Sequence, residues 1–129
     1  MSKLKVNTIK NYFLAYLIPA LWAVFIFLLS AQQTLPGFSV SIYDFVFKKS
    51  AHMFVYAVLY LLLFRAYQKT NNKKINRRNY IFPILISLLY ALSDEFHQSI
   101  IPGRHPALRD TGYDMLGVST VLLYQLKLI

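Results

Sequence analysis

Residues 93–117 read SDEFHQSIIPGRHPALRDTGYDMLG and hold four of the chain's five acidic residues, Asp94, Glu95, Asp110 and Asp114, with two of its three histidines, His97 and His105. The apolar run before them, residues 80–92, passes into Asp94, Glu95, His97 and Gln98 without a helix breaker until Pro102-Gly103, and Pro106 follows. The pattern predicts one helix over about residues 80–99 that is apolar at its start and polar at its end, a short loop, and another helix over about 110–126. Almost everything outside this stretch is apolar or basic. A chain that gathers its carboxylates and imidazoles into 25 consecutive positions has placed its most strongly hydrated groups where something is bound or done.

The composition sets the solvent for these helices. Of 129 residues, 57% are hydrophobic and 15% charged, and the mean hydropathy is +0.43. These values lie in the membrane class, and the length allows one domain. The absence of cysteine excludes disulfides, thiolate nucleophiles and sulfur-ligated metals, leaving His and carboxylate oxygen as metal ligands. The formal charge of +9 does not point to nucleic acid, because the basic residues sit between apolar spans and not on one solvated face beside a recognition motif.

Working outward, residues 13–30 carry no charge and are long enough to cross most of the roughly 30 Å hydrocarbon core. Lys3, Lys5 and Lys10 precede this span, but no A-x-A pattern ends it, so it reads as an uncleaved anchor with Pro19 as a site for a kink. Residues 31–49, with Gln32, Gln33, Thr34, Pro36, Gly37 and Asp44, read as a loop in which 42–47 can form a short interfacial helix. A second span covers about residues 50–67, from His52 to Arg65. The basic segment 68–79, QKTNNKKINRRN, reads as a hinge, and Tyr80 opens the third span with Pro83 in its first turn.

The expected fold class is therefore all-α, an integral membrane bundle of four transmembrane helices. On one side lie Lys3, Lys5, Lys10, Arg65, Lys69, Lys73, Lys74, Arg77, Arg78 and Lys127, ten basic groups with no acid. On the other lie Lys48, Lys49, Arg104 and Arg109. That bias predicts both termini in the cytoplasm and all five acids at or near the outer face. Membrane lipids are the expected partner of the basic hinge.

Helical spacing places Asp94 on one face with His97 and Gln98, and Asp110 on one face with Asp114. Asp94 lies about 21 Å along its helix, inside the outer leaflet, where an aspartate costs about 2.5 to 3.5 kcal/mol and needs interior partners. Asp110 and Asp114 are like charges one turn apart, so a cation is required near them, with Arg104 and Arg109 available. His52, Ser30 and Gln32 fall at the same level. Asp94, His97, Asp110 and Asp114 are thus expected to meet His52 in one cavity. Glu95, about 100° around the helix from Asp94, can instead hold the following loop. His105, in the exposed loop, reads as a spectator. A packing network of ion pairs without function is the bland alternative.

The succession D-E-F-H-Q at residues 94–98, P-G-R at 102–104 and D-T-G-Y-D-M-L-G at 110–117 carries a resemblance. With K-S-A-H at 49–52 and S-A-Q at 30–32, it is similar to the VanZ-like family of small bacterial membrane proteins. The likeness covers nearly the whole chain, implying a single domain over residues 1–129. It implies a helical protein of the bacterial cytoplasmic membrane, part of the cell envelope, with a relative associated with low-level resistance to the glycopeptide teicoplanin. It does not supply an agreed reaction. The family pattern picks out Ser30, Gln32, His52, Asp94, Glu95, His97, Gln98, Pro102, Gly103, Arg104, Asp110, Asp114 and Gly117. Many relatives place a glutamate three residues after the histidine of the second helix, where this chain has Val55.

Three function classes follow. In the first, Arg104 and Arg109 hold an anionic lipid or cell-wall precursor headgroup at the outer leaflet, with the carboxylates and Gln98 taking its hydroxyl or amide groups. In the second, a membrane hydrolase or transferase uses His52, Asp94, Glu95, His97 or Asp114, or a divalent metal held by Asp94, His97, Asp110 and Asp114. No serine elbow, H-E-x-x-H or glycine-rich phosphate loop accompanies that reading. In the third, the chain is a subunit of a proton-coupled transporter, whose pathway requires oligomerisation.

Overall fold

The computed structural model describes residues 3–32, 37, 39–71 and 74–129. Four helices and no strand are found among them: α1 (Lys3–Ser30), α2 (Ser41–Asn71), α3 (Arg77–Ser99) and α4 (Leu108–Gln125). Helices α1, from Asn7 to Ser30, and α2 are long and apolar enough to cross a membrane. Helices α3 and α4 carry the acidic stretch.

The element bounds differ from the sequence pattern in instructive ways. The predicted loop over 31–49 is helical from Ser41 onward, so α2 has 31 residues and a length of about 46 Å. Nothing in IYDFVFKK breaks a helix. Asp44 lies in the first turn, where the helix dipole favours an anion, and pairs with Lys48 one turn on at 2.8 Å. At its other end α2 runs through Lys69 to Asn71, into the predicted hinge. Thr70 and Asn71 there turn their side chains back onto backbone carbonyls of Ala66 and Tyr67.

Helix α3 starts at Arg77 because Asn76 caps it: its side chain accepts from Arg78 N, and the Asn79 side chain returns to Asn76 N. Pro83 consequently falls in the second turn, not the first, and is buried there. Pro19 is also accommodated inside a continuous α1. Gln33, Thr34 and Pro36 of the predicted loop, and Lys73 of the predicted hinge, lie outside the described residues.

Helix α2 is the hub, packing on all three others, whereas α1 and α4 make no close approach among the described residues. The side-chain links give the directions. Lys49 meets Asp110, His52 meets Asp114 and Tyr60 meets Gln125, so α2 and α4 run parallel. Ala23 meets Tyr90 and Ser30 meets Gln98, so α1 and α3 are also parallel. Tyr56 meets Tyr90 and Phe64 meets Tyr80, so α2 runs antiparallel to α3, the two pairs oppose each other and the bundle alternates up and down. Trp22 of α1 donates to the Val55 carbonyl of α2 at 2.8 Å.

That alternation sorts the charges. One end of the bundle carries Lys3, Lys5, Lys10, Arg65, Lys69, Lys74, Arg77, Arg78 and Lys127, with no acid among the described residues. The other carries all five acids with Lys48, Lys49, Arg104 and Arg109. Between the ends, Ile26, Tyr56, Leu59, Tyr60, Leu63, Ala91 and Val118 form the apolar core.

Candidate functional site

The site grows from the α2–α4 seam at the acidic end. On α2, Lys49, His52, Met53 and Tyr56 recur at helical spacing and share one side. On α4, Asp110, Asp114 and Gly117 do the same. Because the two helices run parallel, the motifs meet rung by rung. Asp110 is bound by Lys49, whose ammonium also lies over the rings of Phe45 (5.7 Å) and Tyr113 (5.4 Å). Asp114 Oδ1 lies 2.8 Å from His52 Nδ1, and Asp114 is fully buried.

Behind His52 a cavity of about 200 Å³ opens between α1, α2 and α3. Its polar wall comprises Ser30, Lys48, His52, Tyr56, Asp94, Gln98 and Arg104, against an apolar remainder that includes Ile26, Leu29, Phe47 and Val55. The Tyr56 hydroxyl donates to Asp94 Oδ2 at 3.3 Å. Gln98 Nε2 donates to Ser30 Oγ at 3.0 Å and lies 3.5 Å from Asp94 Oδ2. Tyr56, Asp94, Gln98 and Ser30 are all buried. His52 and Arg104 are half-buried, and Arg104 reaches the cavity from the loop beyond Gly103, whose φ of 81° lets the chain turn back over the bundle.

Several sequence candidates are placed elsewhere. His97 stacks on Phe27 of α1, ring centroids 4.4 Å apart, and does not line the cavity. Asp110 is occupied by Lys49. Glu95 accepts from the backbone N–H of Ala107 at 2.9 Å and so ties down the entry to α4, leaving Oε1 buried without a hydrogen bond. Gln32 is exposed and donates back to the Leu28 carbonyl, and Arg109 and His105 are exposed. The cavity thus brings together Ser30, His52, Asp94, Gln98 and Arg104, with Asp114 as the partner of His52. Of Asp94, His97, Asp110 and Asp114 only Asp94 lines the cavity, and among the described residues no three His, Asp or Glu side chains are placed to hold a metal ion.

The groups that meet Asp110 and Asp114 are Lys49 and His52, not Arg104 and Arg109. Lys49, Lys48 and Tyr56 are the site residues that sequence reasoning missed. The available signal was the spacing Lys49, His52, Tyr56 on one helix against Asp110, Asp114 on another two elements later, which an alternating bundle must set side by side.

The fold and site define a small all-helical protein, with two helices apolar enough for a membrane, that buries a polar cavity at one end. Residues 7–127 match the VanZ/LLP1 family model, and the chain belongs to that family. Comparison with curated proteins and with solved structures finds no match.

Proposed function

We propose that this chain is a single-domain, four-span protein of the bacterial cytoplasmic membrane, with both termini in the cytoplasm, whose outer-leaflet cavity binds the anionic headgroup of a lipid or cell-wall precursor. The observation that supports this reading best is the cavity itself: one guanidinium, from Arg104, shares a small apolar-walled space with hydrogen-bonding groups from Ser30, His52, Asp94 and Gln98. A guanidinium takes a phosphate or carboxylate with two parallel hydrogen bonds, while Asp94 and Gln98 suit hydroxyl or amide groups. The four-span arrangement is supported by the segregation of basic residues to one end of an alternating bundle, the pattern of a protein oriented by its positive side. It is supported also by the cost of acids at depth, since α3 and α4 turn Asp94, Glu95 and Asp114 inward, each buried.

We propose further that the site acts in glycopeptide tolerance through the envelope, as the resemblance to the VanZ-like family implies. In cells producing the chain at matched levels, Arg104→Ala and Asp94→Asn are each expected to lose teicoplanin tolerance while the protein stays in the membrane. Wild-type tolerance from both variants would overturn the headgroup site.

One contact favours a second reading. With Nδ1 protonated, His52 donates to the buried Asp114, which fixes the ring and leaves Nε2 to take or give a proton on the cavity side. A hydrolase or transferase acting on a lipid-linked substrate would use it so. His52→Gln would then abolish turnover of the bound lipid without abolishing its retention, whereas a purely binding site shows no turnover to lose.

A further inference from the structure

Side-chain links bridge three of the seams around the polar cavity. Ser30–Gln98 and the stacked Phe27–His97 pair join α1 to α3, Tyr56–Asp94 joins α2 to α3, and His52–Asp114 joins α2 to α4. On the fourth seam Trp22 of α1 is fastened to Val55 of α2 at the floor of the cavity. From that link toward the acidic end, the exposed residues of the cavity wall are Leu29, Phe47 and Ala51. All three are apolar and all lie on α1 or α2, so the cavity opens sideways between these two helices. The lips of the opening differ along the bundle. One turn toward the acidic end stand Gln32, exposed, and Lys48, paired with Asp44. One turn the other way stand Phe25 and Phe54, both exposed. The opening thus straddles a change from polar to apolar surface, the same change that a bilayer makes between its headgroups and its hydrocarbon.

Resting on the headgroup reading above, we infer that this side opening is the entrance to the cavity and admits the head of a phospholipid directly from the outer leaflet, while the acyl chains stay in the bilayer. The size of the cavity sets the ligand class. At about 200 Å³ it is smaller than the roughly 300–1,000 Å³ of pockets that enclose drug-sized ligands, so it takes a phosphate with a small alcohol and not a lipid-linked saccharide. The head passes between Leu29 and Ala51 to reach Arg104, and the chains remain on the exposed face beside Phe25 and Phe54. A water-soluble anion would have to shed its hydration at an apolar rim that returns no hydrogen bond, whereas a lipid is already held at this level by its chains.

Two measurements on the purified full chain test this. In vesicles of phosphatidylcholine and phosphatidylglycerol, a nitroxide is attached to Ala51→Cys, Phe54→Cys or Gln32→Cys, each the single cysteine of its variant. Its collisions with oxygen, which concentrates in hydrocarbon, are compared with its collisions with a water-soluble nickel chelate. The oxygen-to-nickel ratio at Ala51→Cys is expected to match that at Phe54→Cys and to exceed that at Gln32→Cys severalfold. A ratio at Ala51→Cys as low as at Gln32→Cys means that the opening meets water, and overturns the lateral entrance. Retention of phosphatidylglycerol over phosphatidylcholine is then measured by mass spectrometry of the detergent-purified protein, with thermal unfolding as the control for folding. Ala51→Trp and Leu29→Trp, which obstruct the opening from its two sides, are each expected to lower that retention about tenfold. Phe54→Trp, which adds bulk outside the rim, keeps it. Wild-type retention in Ala51→Trp and Leu29→Trp, with retention lost in Arg104→Ala, overturns the entrance and leaves the headgroup reading standing. Equal retention of the two lipids, unchanged by Arg104→Ala, overturns the headgroup reading and with it the proposal.

Discussion

Gly117 of α4 is seated directly on the backbone of Met53 in α2, so that a Cβ at Gly117 would collide with the Met53 carbonyl. This is a point of close backbone approach in the parallel α2–α4 seam and lies one turn from the His52–Asp114 contact. Its glycine is needed for the close approach of two backbones and not for an unusual dihedral angle. Gly117→Ala must push the helices apart and is expected to cost about 1–3 kcal/mol. Thermal unfolding in detergent checks this, and Gly112→Ala, where nothing lies within reach of the new methyl, should not lower the melting temperature and should raise it slightly through the better helix propensity of alanine.

The His52–Asp114 pair should behave as a unit. Removing the histidine alone strands a fully buried carboxylate, so His52→Ala is expected to destabilise by about 3 kcal/mol or more. Replacing both residues by leucine removes the stranded charge and should recover most of that loss. A double-mutant cycle from denaturant unfolding measures the coupling. Strictly additive effects would mean that the two side chains do not interact in the folded protein.

How much of this was legible beforehand depended on whether the information was local. The helical class, the break at Pro102-Gly103 and the Asp110–Asp114 face are all local patterns, and each is seen. The start of α2 at Ser41 was missed because Gln32, Thr34 and Pro36 gave the whole segment a loop composition, although residues 42–49 contain no breaker. The partners of the acids were misassigned for a different reason. Arg104 and Arg109 are near Asp110 in sequence, whereas Lys49 and His52 are near Asp110 and Asp114 only once α2 and α4 lie parallel. His97 shares a helical stripe with Asp94, but i and i+3 positions differ by about 60°, enough to rotate one into the cavity and the other onto Phe27.

The proposed orientation can be tested without engineering a cysteine-free background, since the chain has no cysteine. Lys69 and Arg109 are exposed at opposite ends of the bundle. In intact cells an impermeant thiol reagent should label Arg109→Cys and not Lys69→Cys, with both labelled after permeabilisation. The reverse pattern would place the cavity on the cytoplasmic side and remove the cell-wall precursor reading.

Arg104 separates recognition by shape from recognition by charge. It is the cavity's one guanidinium, held over the bundle by a turn that Pro102 stiffens and Gly103 permits. Lys48, the other cation on the cavity wall, is already paired with Asp44 at 2.8 Å. A lysine in place of Arg104 would keep the charge but not the planar fork, and its ammonium is more strongly hydrated than the guanidinium it replaces. If a phosphate or carboxylate is held by two parallel hydrogen bonds, Arg104→Lys should lose nearly as much affinity for phosphatidylglycerol as Arg104→Ala. A loss of about tenfold or more corresponds to one charge-assisted hydrogen bond of roughly 1.5–3 kcal/mol. If charge alone matters, Arg104→Lys should retain wild-type affinity and only Arg104→Ala should lose it. Lipid titration monitored by mass spectrometry, with thermal unfolding of each variant as the control for folding, distinguishes the two outcomes. Full affinity in the lysine variant would remove the bidentate geometry from the proposed mechanism.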